Sequence, residues 1–208
     1  MGATIRDYRP GDEAGAYYVC LKTGNNGDDG EAFYRDDPDA LGRIYVGPYL
    51  KFEPRFALIL EDNEGICGYA LAALDSRDFY RRYEQEWLPQ VQAEFPAPGG
   101  DPASWNRVQA IHYQYHHPES FCPEPYDAYP AHLHIDLVAR AHRQGYGRQM
   151  MLEVMNRLHK QGAPGVHLGM AGNNDRAYRF YTTLGFHELC RRGEGDDETL
   201  YMGKRFNA

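Results

Sequence analysis

The stretch from His132 to Gln161, HLHIDLVARAHRQGYGRQMMLEVMNRLHKQ, constrains the fold of this chain more than any other. Leu133, Ile135 and Leu137 alternate with polar residues, which is the period of a half-buried strand. A short basic turn containing Arg140 and Arg143 follows, and then Gly145 and Gly147. Beyond the glycines the period lengthens, with Met151, Val154, Met155 and Leu158 recurring at helical spacing. A strand that enters a helix through glycines makes an anion site. The first amides of a helix have no internal partner, and the helix dipole favours negative charge beside them. Glycine removes the Cβ that would hold a diphosphate off the backbone.

Spacing excludes two phosphate-binding families. A P-loop requires Lys and then Ser or Thr after its second glycine, and Arg148-Gln149 stand there. A dinucleotide fingerprint requires a third glycine, which is missing. His142-Arg143-Gln144-Gly145-Tyr146-Gly147 instead resembles the pyrophosphate loop R/Q-x-x-G-x-G/A of the GNAT family of acyl-CoA N-acyltransferases, with His in the first slot. A second segment, Asn174 to Phe186, fits N-x-x-A-x-x-F-Y-x-x-L-G-F and resembles the other GNAT signature. It follows the helix by one strand, Val166 to Met170, as that fold requires.

The resemblance implies an α/β (α+β) fold. Its central sheet is mixed and mostly antiparallel, with about seven strands and helices on both faces. Two parallel central strands, 132–138 and 166–171, splay apart. It also implies one domain over 1–208, with a helical and irregular insertion at about 78–130. Insertions beside a cleft commonly carry specificity.

The rest of the chain is consistent with that plan. Thr4 to Tyr8 reads as a first strand, and Asp12 as the cap of a helix with Ala14, Tyr17, Tyr18 and Leu21 on one side. Gly24 to Pro54 is irregular apart from a short helix at Ala40 to Tyr45. It carries an acidic run, Asp28, Asp29, Glu31, Asp36, Asp37 and Asp39, read as a solvated loop or as a rim that attracts a cationic amine. Phe56 to Leu60 and Ile66 to Leu74 form a hairpin. Phe79, Tyr83, Trp87 and Val91 repeat as a core stripe on a helix bent near Pro89, and Trp105 to Tyr115 forms another helix. Two last strands, His187 to Arg192 and Thr199 to Lys204, flank a turn at Gly193 to Asp197.

Bulk properties narrow the function classes. A net charge of −8 repels a phosphate backbone, which argues against nucleic acid as a partner. No apolar run approaches the roughly 20 residues of a membrane span, and the first residues lack the apolar core of a secretory signal. Cys20, Cys67, Cys122 and Cys190 are scattered, which suits reduced thiols and a cytoplasmic setting better than a disulfide frame or a zinc site. A set from His132, His134, His116 and His117 is the one metal arrangement left on paper, and nothing at helical spacing supports it, so no metal is expected.

The resemblance also assigns roles. The cosubstrate would be acetyl-CoA, with its pyrophosphate on the amides of Arg143, Gln144, Gly145, Tyr146, Gly147 and Arg148, and with the Arg143 and Arg148 side chains adding charge. Backbone amides near Leu137 and Val138 would hold the pantetheine arm and polarise the thioester carbonyl. Asn174 would bond the arm, and Tyr181 would protonate the departing thiolate. An alternative for Tyr181 is plain packing between helix and sheet.

An acceptor amine with pKa near 10.4 is neutral about once in 10³ molecules at pH 7, so a base is needed. His132, His134 and Asp136 alternate and share one strand face, and the H-x-H start is similar to serotonin N-acetyltransferases, where a His pair relays the proton. Asp136 would be expensive to bury unpaired, so a His134–Asp136 couple is expected, or an Asp that binds the amine. His112, His116, His117, Tyr126 and Tyr129 are secondary candidates from the insertion.

The expected activity is transfer of an acetyl group to an amine, on a small molecule or a peptide, by direct attack in a ternary complex. Transfer to a hydroxyl or a sugar amine stays open. The second reading is a non-catalytic acyl-CoA-binding or partner-binding module, because Tyr129 to Asp136 and the segments after it also resemble the acetyltransferase-like C-terminal domain of O-GlcNAc hydrolases, whose cofactor loop is degenerate. Gly145, Gly147, Asn174 and Tyr181 are retained here. A monomer and a homodimer are both consistent with the sequence.

Overall fold

Seven strands form one open sheet in a computed structural model that describes residues 2–195 and 198–206. They are β1 (Thr4–Asp7), β2 (Leu58–Asp62), β3 (Gly65–Ala73), β4 (Ala131–Leu137), β5 (Gly165–Ala171), β6 (His187–Arg192) and β7 (Thr199–Arg205). Their spatial order is β1-β2-β3-β4-β5-β7-β6. Every neighbouring pair is antiparallel except β4 with β5, which is parallel. Asp196 and Asp197 of the expected turn between the last two strands lie outside the described residues.

The helices are α1 (Glu13–Thr23), α2 (Ala40–Tyr45), α3 (Gly47–Phe52), α4 (Ser76–Arg82), α5 (Leu88–Glu94), α6 (Arg107–His116), α7 (Tyr146–Lys160) and α8 (Asp175–Thr183). They cover both faces of the sheet, and alternation along β4 shows how. His132 packs edge-on to Tyr49 of α3, and His134 lies against Tyr45 of α2. A methyl group on Gly147 would sit 3.8 Å from Leu137, so this odd-numbered residue faces α7 on the other side.

The segment joining β3 to β4 begins with α4 and α5. Pro89 has no N–H for the carbonyl four residues back, and the turn ahead of it, Tyr83–Trp87, widens into π form. Phe79, Tyr83 and Val91 are buried, and Trp87 is half-buried with its indole N–H on the Arg43 carbonyl at 2.8 Å. The stripe is therefore core. Asn106 and Gln109 close a capping box at the start of α6, and the Tyr115 hydroxyl donates to the Ala40 carbonyl at 2.8 Å. One hydrophobic core runs without a break from the sheet into this segment. The sequence pattern missed α3, because a helix of one and a half turns starting at Gly47-Pro48 shows no periodicity.

Candidate active site

β4 and β5 pair only at Ala131 with Val166 and at His132 with His167. Beyond that point they diverge, and the wedge opens into a cleft of about 1100 Å³. Its walls come from α1 and the loop after it, α2, α6, the start of α7, and α8. The Val138 N–H donates to the Cys67 carbonyl at 3.0 Å, so it belongs to the sheet. Hydrogen bonding alternates along an antiparallel edge, which turns the Leu137 N–H away from β3 and into the wedge. Of the two amides expected at the thioester, Leu137 faces the opening and Val138 does not.

At one end of the cleft stands the glycine turn. Gly145 has φ +83°, a left-handed conformation, and begins α7 with no side-chain cap and no acidic residue in the first turn. Arg143, Arg148 and Arg176 line this end and make no ion pair among the described residues. Arg140 is instead engaged by Asp62 at 2.9 Å. The Gln144 amide donates to the Arg140 carbonyl at 2.7 Å, and the Tyr146 hydroxyl accepts from the Ala3 N–H at 2.8 Å, so both side chains brace the turn. His142 donates from Nε2 to the Leu137 carbonyl at 2.7 Å, which ties the turn to the end of β4. Asn174 caps α8, accepting from the Ala177 N–H at 3.0 Å, and its amide reaches the Asn26 carbonyl at 3.4 Å.

The other end holds the candidate proton carriers. The Tyr69 hydroxyl donates to Asp136 Oδ2 at 2.6 Å and lies 3.0 Å from His134 Nε2. His134 Nε2 is also 3.0 Å from Asp136 Oδ2, which closes a triangle. Behind it sits Cys20 of α1, whose thiol is pushed up by burial and by the Asp136 charge. Tyr181 lines the same cleft from α8; burial first, and then the Asp136 charge, raise its phenol. It therefore stays a proton donor throughout the neutral range.

His132 lies elsewhere. It is 4% exposed, stacks on Tyr80 at 5.2 Å, and places Nδ1 2.7 Å from the Ser76 hydroxyl. Burial, reinforced by His167 and His134, drives its pKa well below the usual 6.5. The structure thus brings His134, Asp136 and Tyr181 to one cleft and keeps His132 in the core. His116 donates to the Phe95 carbonyl at 2.8 Å and His117 stacks on Tyr113, so the four histidines of the on-paper metal set are not gathered. Tyr126 donates to Asp75 and Tyr129 meets His187, away from the cleft.

Three of the six residues of the acidic run are paired off. Lys22 binds Asp29 and Glu31, and Asp37 takes Arg43 and His112. Sequence reasoning missed Tyr69, which the β3–β4 register sets opposite Asp136, and Tyr45, whose ring lies 5.9 Å from His134. The only signal for Tyr69 was a lone aromatic among small residues in GICGYALAA.

An open mixed sheet with a splayed parallel pair, a glycine turn before a helix and a cleft between them is a GNAT-type fold. Residues 28–186 match the model of the Acetyltransferase (GNAT) family, and the chain belongs to that family. It is 28% identical over 203 residues to Protein O-GlcNAcase of Mus musculus and to that of Rattus norvegicus, covering 97% of this chain but 22% of either relative. Among solved structures it is similar to SsHAT, at 34% identity and TM-score 0.87, covering 99% of this chain and 98% of that one. The phosphinothricin acetyltransferase Pat of Sinorhizobium meliloti, solved in complex with AcCoA, shares the fold at 15% identity and TM-score 0.58, covering 99% and 89%. No helix among the described residues is long and apolar enough to cross a membrane.

Proposed function

We propose that the chain is an acetyl-CoA-dependent N-acetyltransferase acting on an amine by direct attack in a ternary complex. One observation carries the reading. Three guanidiniums with no ion pair among the described residues and an uncapped helix start occupy one end of a cleft whose other end holds a His–Asp pair and a protonated tyrosine. In a chain of net charge −8, such a local excess of donors fits a diphosphate. AcCoA bound to the related Pat fold supports the same cosubstrate here.

Acetyl-CoA would supply the activated acyl carbon. Arg143, Arg148 and Arg176, with the first amides of α7, would hold its phosphates. The Leu137 N–H would donate to the thioester oxygen as negative charge develops there. His134 would take a proton from the acceptor ammonium, the amine nitrogen would bond to the acyl carbon as the C–S bond breaks, Tyr181 would pass its proton to sulfur, and the second proton shed by the new amide nitrogen would restore the Tyr181 phenol. Cys20 and Cys67 are buried with raised pKa and Cys122 and Cys190 lie outside the cleft, so no cysteine suits a covalent intermediate. The four free cysteines support a reducing, cytoplasmic setting.

The test is release of free thiol from acetyl-CoA across a panel of amines, with calorimetric binding in parallel. Tyr181→Phe is expected to bind acetyl-CoA normally and to turn over about 10²-fold or more slowly, the usual worth of a general acid. Tight binding with no turnover on any amine would favour a cofactor-binding module without catalysis.

A further inference from the structure

Tyr69 carries one proton, and two acceptors, Asp136 Oδ2 and His134 Nε2, compete for it. It is completely buried in the middle of β3, and burial together with the Asp136 charge raises its phenol well above 10, so it keeps that proton. The shorter contact, 2.6 Å to Asp136 Oδ2, takes it. His134 Nε2 then lies 3.0 Å from two oxygens, the Tyr69 hydroxyl and the same Asp136 Oδ2, neither of which has a further proton to offer. A lone pair at Nε2 would face two other lone pairs at hydrogen-bond distance. The nitrogen must therefore carry hydrogen.

We propose that Tyr69 is a positioning residue, and that with Asp136 it fixes His134 as the Nε2–H tautomer, which makes Nδ1 the atom that accepts the proton of the acceptor amine. Nδ1 has no hydrogen-bond partner among the described residues, and His134 lines the cleft with its side chain 31% exposed. When Nδ1 takes the proton, the ring becomes an imidazolium whose Nε2–H already rests on the Asp136 carboxylate. The positive charge thus forms beside a fixed negative one, with no group left to reorient. Tyr69 contributes by donating to Asp136 Oδ2, which holds that oxygen 3.0 Å from Nε2; without the hydroxyl the carboxylate is free to turn away and Nε2–H loses its fixed acceptor. The other titratable groups facing the triangle are Cys20 of α1, Tyr45 of α2, His132 on the same strand and Tyr181 of α8. Cys20 and Tyr181 have raised pKa values and His132 a lowered one, so all three are neutral near pH 7.

This inference rests on the acetyltransferase reading for its catalytic meaning but not for its test. Nitrogen-15 NMR of histidine-labelled full-length chain reads the tautomer without cosubstrate. His134 is expected to show a pyrrole-type shift at Nε2 and a pyridine-type shift at Nδ1 at pH 8, and the reverse pattern overturns the proposal. Tyr69→Phe keeps the ring that fills the core, so it is expected to fold. In that variant the two tautomers should mix, and turnover should fall about 10-fold or more with acetyl-CoA affinity unchanged. A variant that keeps the pure Nε2–H pattern and full turnover removes the positioning role. Should Tyr69→Phe misfold, Asp136→Asn serves instead: loss of the carboxylate is expected to mix the two His134 tautomers in the NMR experiment, and an unchanged pure Nε2–H pattern contradicts the triangle. Wild-type chain with the expected tautomer but no turnover on any amine would overturn the acetyltransferase reading and leave the tautomer assignment standing.

Discussion

His132 shows how one side chain can look catalytic in sequence and be structural in the fold. Ser76 donates its hydroxyl to the Pro130 carbonyl at 2.7 Å, so His132 Nδ1 must donate to Ser76, and Nε2 is left buried without a partner. A protonated ring there would carry an unpaired charge in the core. His167, 2% exposed, is likewise held below its usual pKa by burial. Both groups are depressed bases, so the unfolded chain takes up protons below pH 6.5 that the folded chain refuses. Stability is therefore fully present above pH 6.5 and declines as pH falls below it, by up to about 1.4 kcal/mol per pH unit for each ring. Urea unfolding between pH 7 and 5 measures this, and His132→Phe should flatten the slope. Ser76→Ala should destabilise the chain by about 1–3 kcal/mol at pH 7, because it strands the His132 donor.

At the scale of elements, the turn into α7 contains two glycines with different duties. Gly145 sits at φ +83°, and an added Cβ would meet nothing closer than Gln149 at 3.9 Å. The strain of Gly145→Ala is thus the backbone's alone, about 1–2 kcal/mol, and it should also weaken acetyl-CoA by tilting the donors. Gly147 lies inside the helix with room for a methyl group 3.6 Å from Phe180. Gly147→Ala should leave stability unchanged or raise it by up to about 1 kcal/mol while retaining binding. Denaturant melts and calorimetry of the two variants check the contrast. Elements of this kind were legible in the sequence: the strand at 131–137 and α7 fall where alternation and the glycines place them, and α8 lies inside the second matched segment, Asn174 to Phe186. Register is not local. Nothing in GICGYALAA says that Tyr69 will stand opposite Asp136, or that His132 will meet Ser76 across 56 residues. The same limit hid the Val138 amide, which looks free in sequence and is spent on Cys67 in the sheet.

Over the whole molecule, the long connection between β3 and β4 joins the common core through Phe79, Tyr83, Val91, Ile111 and Tyr115. It has no separate core of its own, so the chain should unfold in one cooperative transition followed by tryptophan fluorescence and circular dichroism alike. An earlier transition seen by Trp87 and Trp105 alone would contradict that. Ligand binding should stabilise this unit as a whole: at 100 times its dissociation constant, acetyl-CoA should add about 2.7 kcal/mol. The distribution of charge matters more than its sum. A chain of net charge −8 presents, where a phosphate is expected, three arginines with no ion pair among the described residues, and pairs Asp29, Glu31 and Asp37 of its acidic run internally. The measurement that bears most directly on this account is a calorimetric titration of the chain with acetyl-CoA at two salt concentrations. It should show one site, with affinity of about 1 μM or tighter that weakens as salt rises and drops further in Arg148→Ala. A flat titration at millimolar acetyl-CoA, or binding indifferent to both salt and Arg148, would contradict it.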